Sequence, residues 1–197
     1  MISDGNNLLP NKKDRLIVGI TGASGVLYGI RLLELLREMD LFETHLILSQ
    51  AAEITIAHET NYKIKDVLAL ADVFYKPTDI TASISSGSFI TKGMIIAPCS
   101  MNTLGEIAAA ITGSLISRAA DVVLKERRHL VLMTRESPLH LNHLRNMVRA
   151  TEAGAIIAPP MPSFYTKPSN MIEAIDYQLI RILDLFGIHI AENKRWQ

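Results

Sequence analysis

Apolar residues follow two alternating patterns along this chain. Short runs rich in Ile, Leu and Val occupy residues 16–20 (LIVGI), 45–49 (HLILS), 93–97 (GMIIA), 130–133 (LVLM) and 155–158 (AIIA). Continuous runs of this length read as strands buried on both faces. Between them, residues 26–39, 51–58, 103–110, 117–127, 140–152 and 171–186 carry apolar positions at helical spacing. Residues 66–71 form a shorter helical stretch, followed by the triplet Val73-Phe74-Tyr75. Strands alternating with helices predict an α/β fold: a three-layer, doubly wound parallel sheet with ligands at the carboxyl ends of its strands. Residues 77–92 (PTDITASISSGSFITK) interrupt the alternation. They are too long and too polar for a simple connection, and such loops often carry function. Residues 1–14 read as a flexible polar tail and residues 15–197 as one domain.

Composition narrows the class. Apolar residues make up 48 % of the 197 positions, enough for a buried parallel sheet. Twenty Lys and Arg balance twenty Asp and Glu, so net charge points to neither nucleic acid nor a membrane surface. The single cysteine, Cys99, excludes an intramolecular disulfide and fits a reducing compartment. No apolar run approaches the ~18 residues of a spanning helix, and the first residues lack the apolar core of a signal peptide. The expectation is a cytoplasmic protein.

The strand ends carry the candidate chemistry. The first ends in Thr21-Gly22-Ala23-Ser24-Gly25 before a helix. A glycine turn at a helix N-terminus cradles phosphate with free N–H groups, and Ser24 adds a hydroxyl; alone, the same pattern is also an ordinary glycine turn. A dinucleotide site places an acid after the second strand, where this chain has Ser49 and Gln50. The glycine spacing G-x-x-G-x-x-x-G also departs from the dinucleotide pattern, which favours a mononucleotide such as FMN. Ser100, Asn102 and Thr103, at another helix start, suit its ribityl chain. A second group comprises Arg118, Lys125, Arg135, Glu136 and Arg181, with Tyr165. Arg and Lys bind phosphate, but helix charges equally suit a solvated face, and spacing does not decide between them. Cys99 reads as a small buried residue, since no histidine is placed to activate it. His140 and His143, one turn apart, are too few for a zinc site. The run KERRH at 125–129 is too local to imply nucleic acid, and Met94, Met133 and Met147 read as core.

The motifs TGASGxxYGxRLL, PCSMxTL, RAADVxLKERRxLVLxxRExP and GAxIxPxxPxFY and a terminal RW together resemble the UbiX-like flavin prenyltransferases, from residue 16 to Trp196. The resemblance implies a Rossmann-like flavoprotein fold and a metal-independent transferase. Its reaction joins a dimethylallyl group from dimethylallyl monophosphate to N5 and C6 of reduced FMN. The product, prenylated FMN, serves UbiD-like decarboxylases, in ubiquinone biosynthesis among other pathways. FMN would be held by Gly22, Ala23, Ser24, Ser49, Ser100, Met101, Asn102, Thr103 and Arg135. Tyr165 and Arg181 would bind the prenyl phosphate, helped by Arg118, Lys125 and Glu136. Ser24 and Glu59 would form a polar pair beside the flavin. Ser86 and Gly87 would lie over the prenyl group, and Trp196 would join the substrate site. Catalysis would rest on Ser24, Glu59, Lys125 and Glu136. Some relatives carry a Trp where this chain has Ile80 or Thr81. The family also implies a homododecamer with sites between subunits. Two alternatives remain at this point: an FMN-dependent cysteine decarboxylase, whose catalytic histidine would fall near His58, and a non-catalytic flavin-binding subunit.

Overall fold

The structure, a computed structural model, describes residues 13–190. Strands β1 (Asp14–Ile20), β2 (Phe42–Leu48), β3 (Val73–Tyr75), β4 (Gly93–Cys99), β5 (His129–Thr134) and β6 (Ile156–Ile157) form one parallel sheet in the order β3-β2-β1-β4-β5-β6. The chain winds outward from β1 to β3, then returns to place β4 beside β1 and winds out the other way. That reversal leaves a crevice beyond the ends of β1 and β4, where open α/β sheets bind their ligands.

Alternation along the strands divides the core. Leu16, Val18, Ile20, Leu46, Leu48, Ile95, Val131 and Met133 face helices α1 (Leu27–Met39), α2 (Gln50–Glu59), α3 (Ile64–Leu68) and α7 (Met171–Asp184). Ile17, Ile47, Met94, Ile96, Leu130 and Leu132 face α4 (Met101–Ala108), α5 (Leu115–Lys125) and α6 (Leu141–Glu152). Helix α1 lies directly on the central strands because Gly29 has no side chain. A Cβ there would stand 2.3 Å from the Ala97 carbonyl oxygen and 2.6 Å from the Ile20 side chain.

The outlines differ from expectation at several ends. β1 begins at Asp14, inside the expected tail, where Asp14 pairs in register with Phe42. β2 begins at Phe42 rather than at residue 45. α4 begins at Met101, two residues early, because Ser100 caps it. His140 stands outside α6 as its cap, its ring accepting from the Asn142 amide. Its ring also stacks on that of His143 with centroids 3.5 Å apart. Residues 77–92 take the place of a crossover helix. They contain one 3-10 turn, Ser83–Ser85, and press Ala82 and Ile84 into the second core. Among the described residues no helix is long and apolar enough to cross a membrane.

Candidate active site

Thr21 ties the two strand ends at the crevice. Its amide and hydroxyl both donate to the Pro98 carbonyl, at 3.2 and 2.7 Å, and its hydroxyl oxygen accepts from the Ser100 amide at 2.8 Å. Next to it, a Cβ on Gly22 would lie 2.3 Å from the Ala51 Cβ, so the start of α2 packs against this glycine. Ser49 caps α2 by accepting from the Ala52 amide at 3.0 Å. Ser100 caps α4 by accepting from the Thr103 amide at 3.3 Å, and Ser114 caps α5 in a reciprocal box with Ser117. These caps border a cleft of about 390 Å³ whose walls include Thr21, Gly22, Ser49, Ser100, Asn102 and Thr103. Helix N-termini direct partial positive charge at such a cleft. Hydroxyls and amides without an acid after β2 fit a phosphate and a polyhydroxyl chain, as in FMN.

The turn after Gly22 brings a carboxylate to the same edge. Glu59, at the end of α2, accepts from the Gly25 amide at 2.7 Å. Its partial burial pushes the carboxyl up. Hydrogen bonds from the Ser24 hydroxyl and the Gly25 and Val26 amides, with the charge of Arg135, outweigh this and hold it below the ordinary carboxylate range. These groups favour the charged form of Glu59. Arg135 follows β5, its amide bonded to the Cys99 carbonyl at 3.1 Å. Glu136, next along, accepts from the Ser137 amide.

Helix α7 touches this edge through Gln178 and Arg181 and descends toward the amino edge, where Phe186 beyond it packs on His129. The Tyr28 hydroxyl donates to Gln178 at 2.6 Å, and Arg31 holds both oxygens of Asp176 at 3.0 and 2.9 Å, so α7 is fastened to α1. One turn beyond Gln178, Arg181 lines a second hollow with Met133, Ala158, Pro159 and Ser163, and pairs with Asp184. Tyr165 lies in the 3-10 turn Phe164–Thr166, which follows Ser163.

Lys125 does not join them within one chain, which corrects the expected convergence of Arg118, Lys125, Arg135 and Arg181 on this point. Helix α5 descends from the cleft to the amino edge of the sheet, and the strand that follows climbs back. Lys125 precedes β5 and Arg135 ends it, so six residues at ~3.3 Å each put about 20 Å between them. Lys125 pairs with Glu126 at 2.6 Å and lies beside Gly87. Arg118 pairs with Asp121 at 3.1 Å, about 10 Å up the helix from Lys125. Ser86 and Gly87 share the amino edge with Lys125. Trp196 falls outside the described residues.

Several residues gave no sequence signal of their importance. Thr21 was visible only as part of the glycine turn, and its stitching role needs β4 beside β1. Arg128, read only as part of a basic run, donates to the Gly87 and Phe89 carbonyls at 2.7 and 2.9 Å and anchors their loop. Cys99 is fully buried and its thiol is pushed far up by desolvation, as a packing residue requires.

A model of the flavoprotein family matches residues 5–176. The flavin prenyltransferase UbiX of Escherichia coli (strain K12) is 55 % identical over 185 residues, covering 93 % of this chain and 98 % of that protein. The crystal structure of AnUbiX in complex with FMN and dimethylallyl pyrophosphate superposes with a TM-score of 0.92 at 48 % identity, covering 94 % of this chain and 98 % of that one. A dodecameric FMN-dependent UbiX-like decarboxylase from Escherichia coli O157:H7 gives 0.90 at 50 % identity, covering 93 % and 99 %. Identity at this level over nearly the whole length places the chain in the flavoprotein family and, within it, among the UbiX-like flavin prenyltransferases.

Proposed function

We propose that this protein transfers the dimethylallyl group of dimethylallyl monophosphate to N5 and C6 of reduced FMN, supplying prenylated FMN to a UbiD-like decarboxylase in the cytoplasm. Residues 15–197 act as the single catalytic domain. The observation that carries the reading is Glu59, which accepts from the Gly25 amide next to Ser24 at the edge that also holds a cleft built from hydroxyls and helix N-termini. Gly22, Ala23, Ser24, Ser49, Ser100, Met101, Asn102, Thr103 and Arg135 hold the flavin nucleotide.

The chemistry assigns the other residues. The carbon–oxygen bond to phosphate breaks, and negative charge grows on the leaving group. Arg181 and Tyr165 at the carboxyl edge stabilise it. N5 bonds the allylic cation and gives up its proton, a proton returned to the remaining double bond makes a tertiary cation that C6 attacks, and the proton then released from C6 goes to Glu59 or Glu136. Lys125, Ser86 and Gly87 are too far away in the same chain, so we assign them, with Arg118 of the same helix, to the site of a neighbouring copy. A homododecamer, the assembly of the O157:H7 relative, provides such neighbours. The cysteine decarboxylase and regulatory-subunit readings are not favoured, because relatives at 50–55 % identity are flavin prenyltransferases.

The test is an anaerobic assay with reduced FMN and dimethylallyl monophosphate, followed by mass spectrometry. The expected product carries one added dimethylallyl unit. Bound FMN with no such product refutes the transfer.

A further inference from the structure

A chain of polar contacts crosses the sheet face beneath the 77–92 loop. Arg15, Glu43, His45 and Tyr75 project from β1, β2 and β3 on the side that faces the loop. The Arg15 guanidinium donates to Glu43 Oε1 at 3.3 Å, and the same oxygen lies 2.9 Å from His45 Nε2. His45 Nδ1 lies 2.9 Å from the Tyr75 hydroxyl, which lies 3.0 Å from the Ser83 hydroxyl. His45 is 1 % exposed.

The ionised Glu43 can only accept, and that sets every proton in the chain. Nε2–H of His45 donates to Glu43, so Nδ1 of the neutral ring accepts from Tyr75 O–H. The Tyr75 oxygen then accepts from Ser83 O–H. Burial lowers the affinity of the His45 ring for a second proton, against the pull of Glu43, which keeps this direction. Ser83 opens the 3-10 turn that leads into Ser86-Gly87-Ser88.

The far end of that segment is held by the same groups. The Arg15 guanidinium sits 4.1 Å over the Phe89 ring, and the His45 ring meets Phe89 edge-on at 5.3 Å. Arg128 fixes the Gly87 and Phe89 carbonyls. Within the segment the Ser86 and Ser88 hydroxyls are 2.9 Å apart. His45 thus links the two stems, through Tyr75 to Ser83 and directly to Phe89.

We propose that His45, with Tyr75 as its intermediary, is the positioning residue for the Ser86-Gly87-Ser88 segment, and so sets affinity for the prenyl donor without touching donor or flavin. The proposal rests on the assignment of that segment to the prenyl site. It differs from a general bracing role because it predicts a selective kinetic effect.

The experiment measures KM for dimethylallyl monophosphate, kcat, FMN affinity and melting temperature in the full-length protein. Tyr75→Phe keeps the ring and removes the hydroxyl that links His45 to Ser83. It is the variant least able to disturb folding. His45→Phe removes both hydrogen bonds, whereas His45→Gln offers an amide N–H to Glu43 and a carbonyl to Tyr75. Loss of one such bond corresponds to about a five- to tenfold rise in KM. We expect that rise in Tyr75→Phe, a larger one in His45→Phe, partial recovery in His45→Gln, and unchanged FMN affinity throughout. Ser86→Ala separates the two layers of the argument. Raised KM in Ser86→Ala with wild-type KM in Tyr75→Phe overturns the positioning role alone. Wild-type KM in Ser86→Ala overturns the assignment of the segment, and the proposal with it. Parallel loss of FMN affinity and melting temperature at unchanged KM makes the chain a structural brace, and also overturns it.

Discussion

Glu59 gathers a hydroxyl, two amides and the field of Arg135, all of which favour its charged form. Glu59→Gln keeps the shape and removes the charge and the base. Prenylated FMN should form about 100-fold more slowly or worse, with FMN still bound, and full wild-type rates would remove Glu59 from catalysis. The same contacts link to stability. The carboxyl titrates below its ordinary value of 4.5 in the folded protein, so its contribution is complete above that pH and is lost as pH falls through the lower folded value. Melting curves of wild type and Glu59→Gln should therefore differ near neutrality and converge in acid. Gly22 belongs to the same scale, with a changed reason. The sequence pattern credits it with letting a phosphate approach, whereas the nearest obstacle to a side chain is Ala51 of α2. Gly22→Val should displace the first turn of α2 and its cap Ser49, and protein that stays folded should copurify without FMN.

At the level of elements, the site depends on how α7 is docked. Arg31 of α1 grips Asp176 of α7 with two hydrogen bonds and also pairs with Glu34 in its own helix. Both carboxylates keep the guanidinium charged against its partial burial. The two helices joined this way hold Arg181 at the carboxyl edge, in the hollow it shares with Met133 and Ala158. A bidentate pair that is partly screened by solvent contributes on the order of 1–2 kcal/mol. Arg31→Met should lower stability by about that amount in a denaturant titration. It should also weaken prenyl-phosphate binding more than FMN binding, since α7 carries Arg181 and the flavin cleft is built from other elements. Equal losses for both ligands would show that α7 acts only through general stability.

For the whole molecule, the winding of the sheet decides which residues can meet. Every crossover helix runs from the carboxyl edge to the amino edge, so residues at the two ends of α5 serve opposite edges. One chain thus presents an incomplete donor site at one edge and spare donors at the other. If two copies complete each site, Lys125→Ala and Arg135→Ala are each inactive but complementary. Unfolding and reassembling them together should restore activity at about a quarter of sites, the fraction in which both contributors are intact. Activity that stays at the level of the separate variants would place both residues in one chain's site. Light scattering should show the active species far above the 21.8 kDa of one chain.

Much of this was legible before any coordinates. Buried runs such as 16–20 and 130–133 declared strands, and their alternation with helical stretches implied the parallel sheet, because double burial leaves no polar face to alternate. TGASG, Ser49 and the Ser100–Thr103 stretch marked a mononucleotide cleft, since short hydroxyl residues before helices are caps whether or not the fold is known. The pairing of Ser24 with Glu59 rests on family resemblance. Other features belong to the tertiary structure alone. Residues 77–92 gave no period, so nothing local said that they would replace a helix and cover β2 and β3. Arg128 and His45 looked like one charge in a basic run and one polar residue in a strand. Their partners lie tens of residues away, and only the sheet order brings them into contact. The separation of Lys125 from Arg135 by the length of β5 has the same origin. Residue type and spacing fix what a side chain can bind, but the direction of each crossover fixes where on the molecule it binds.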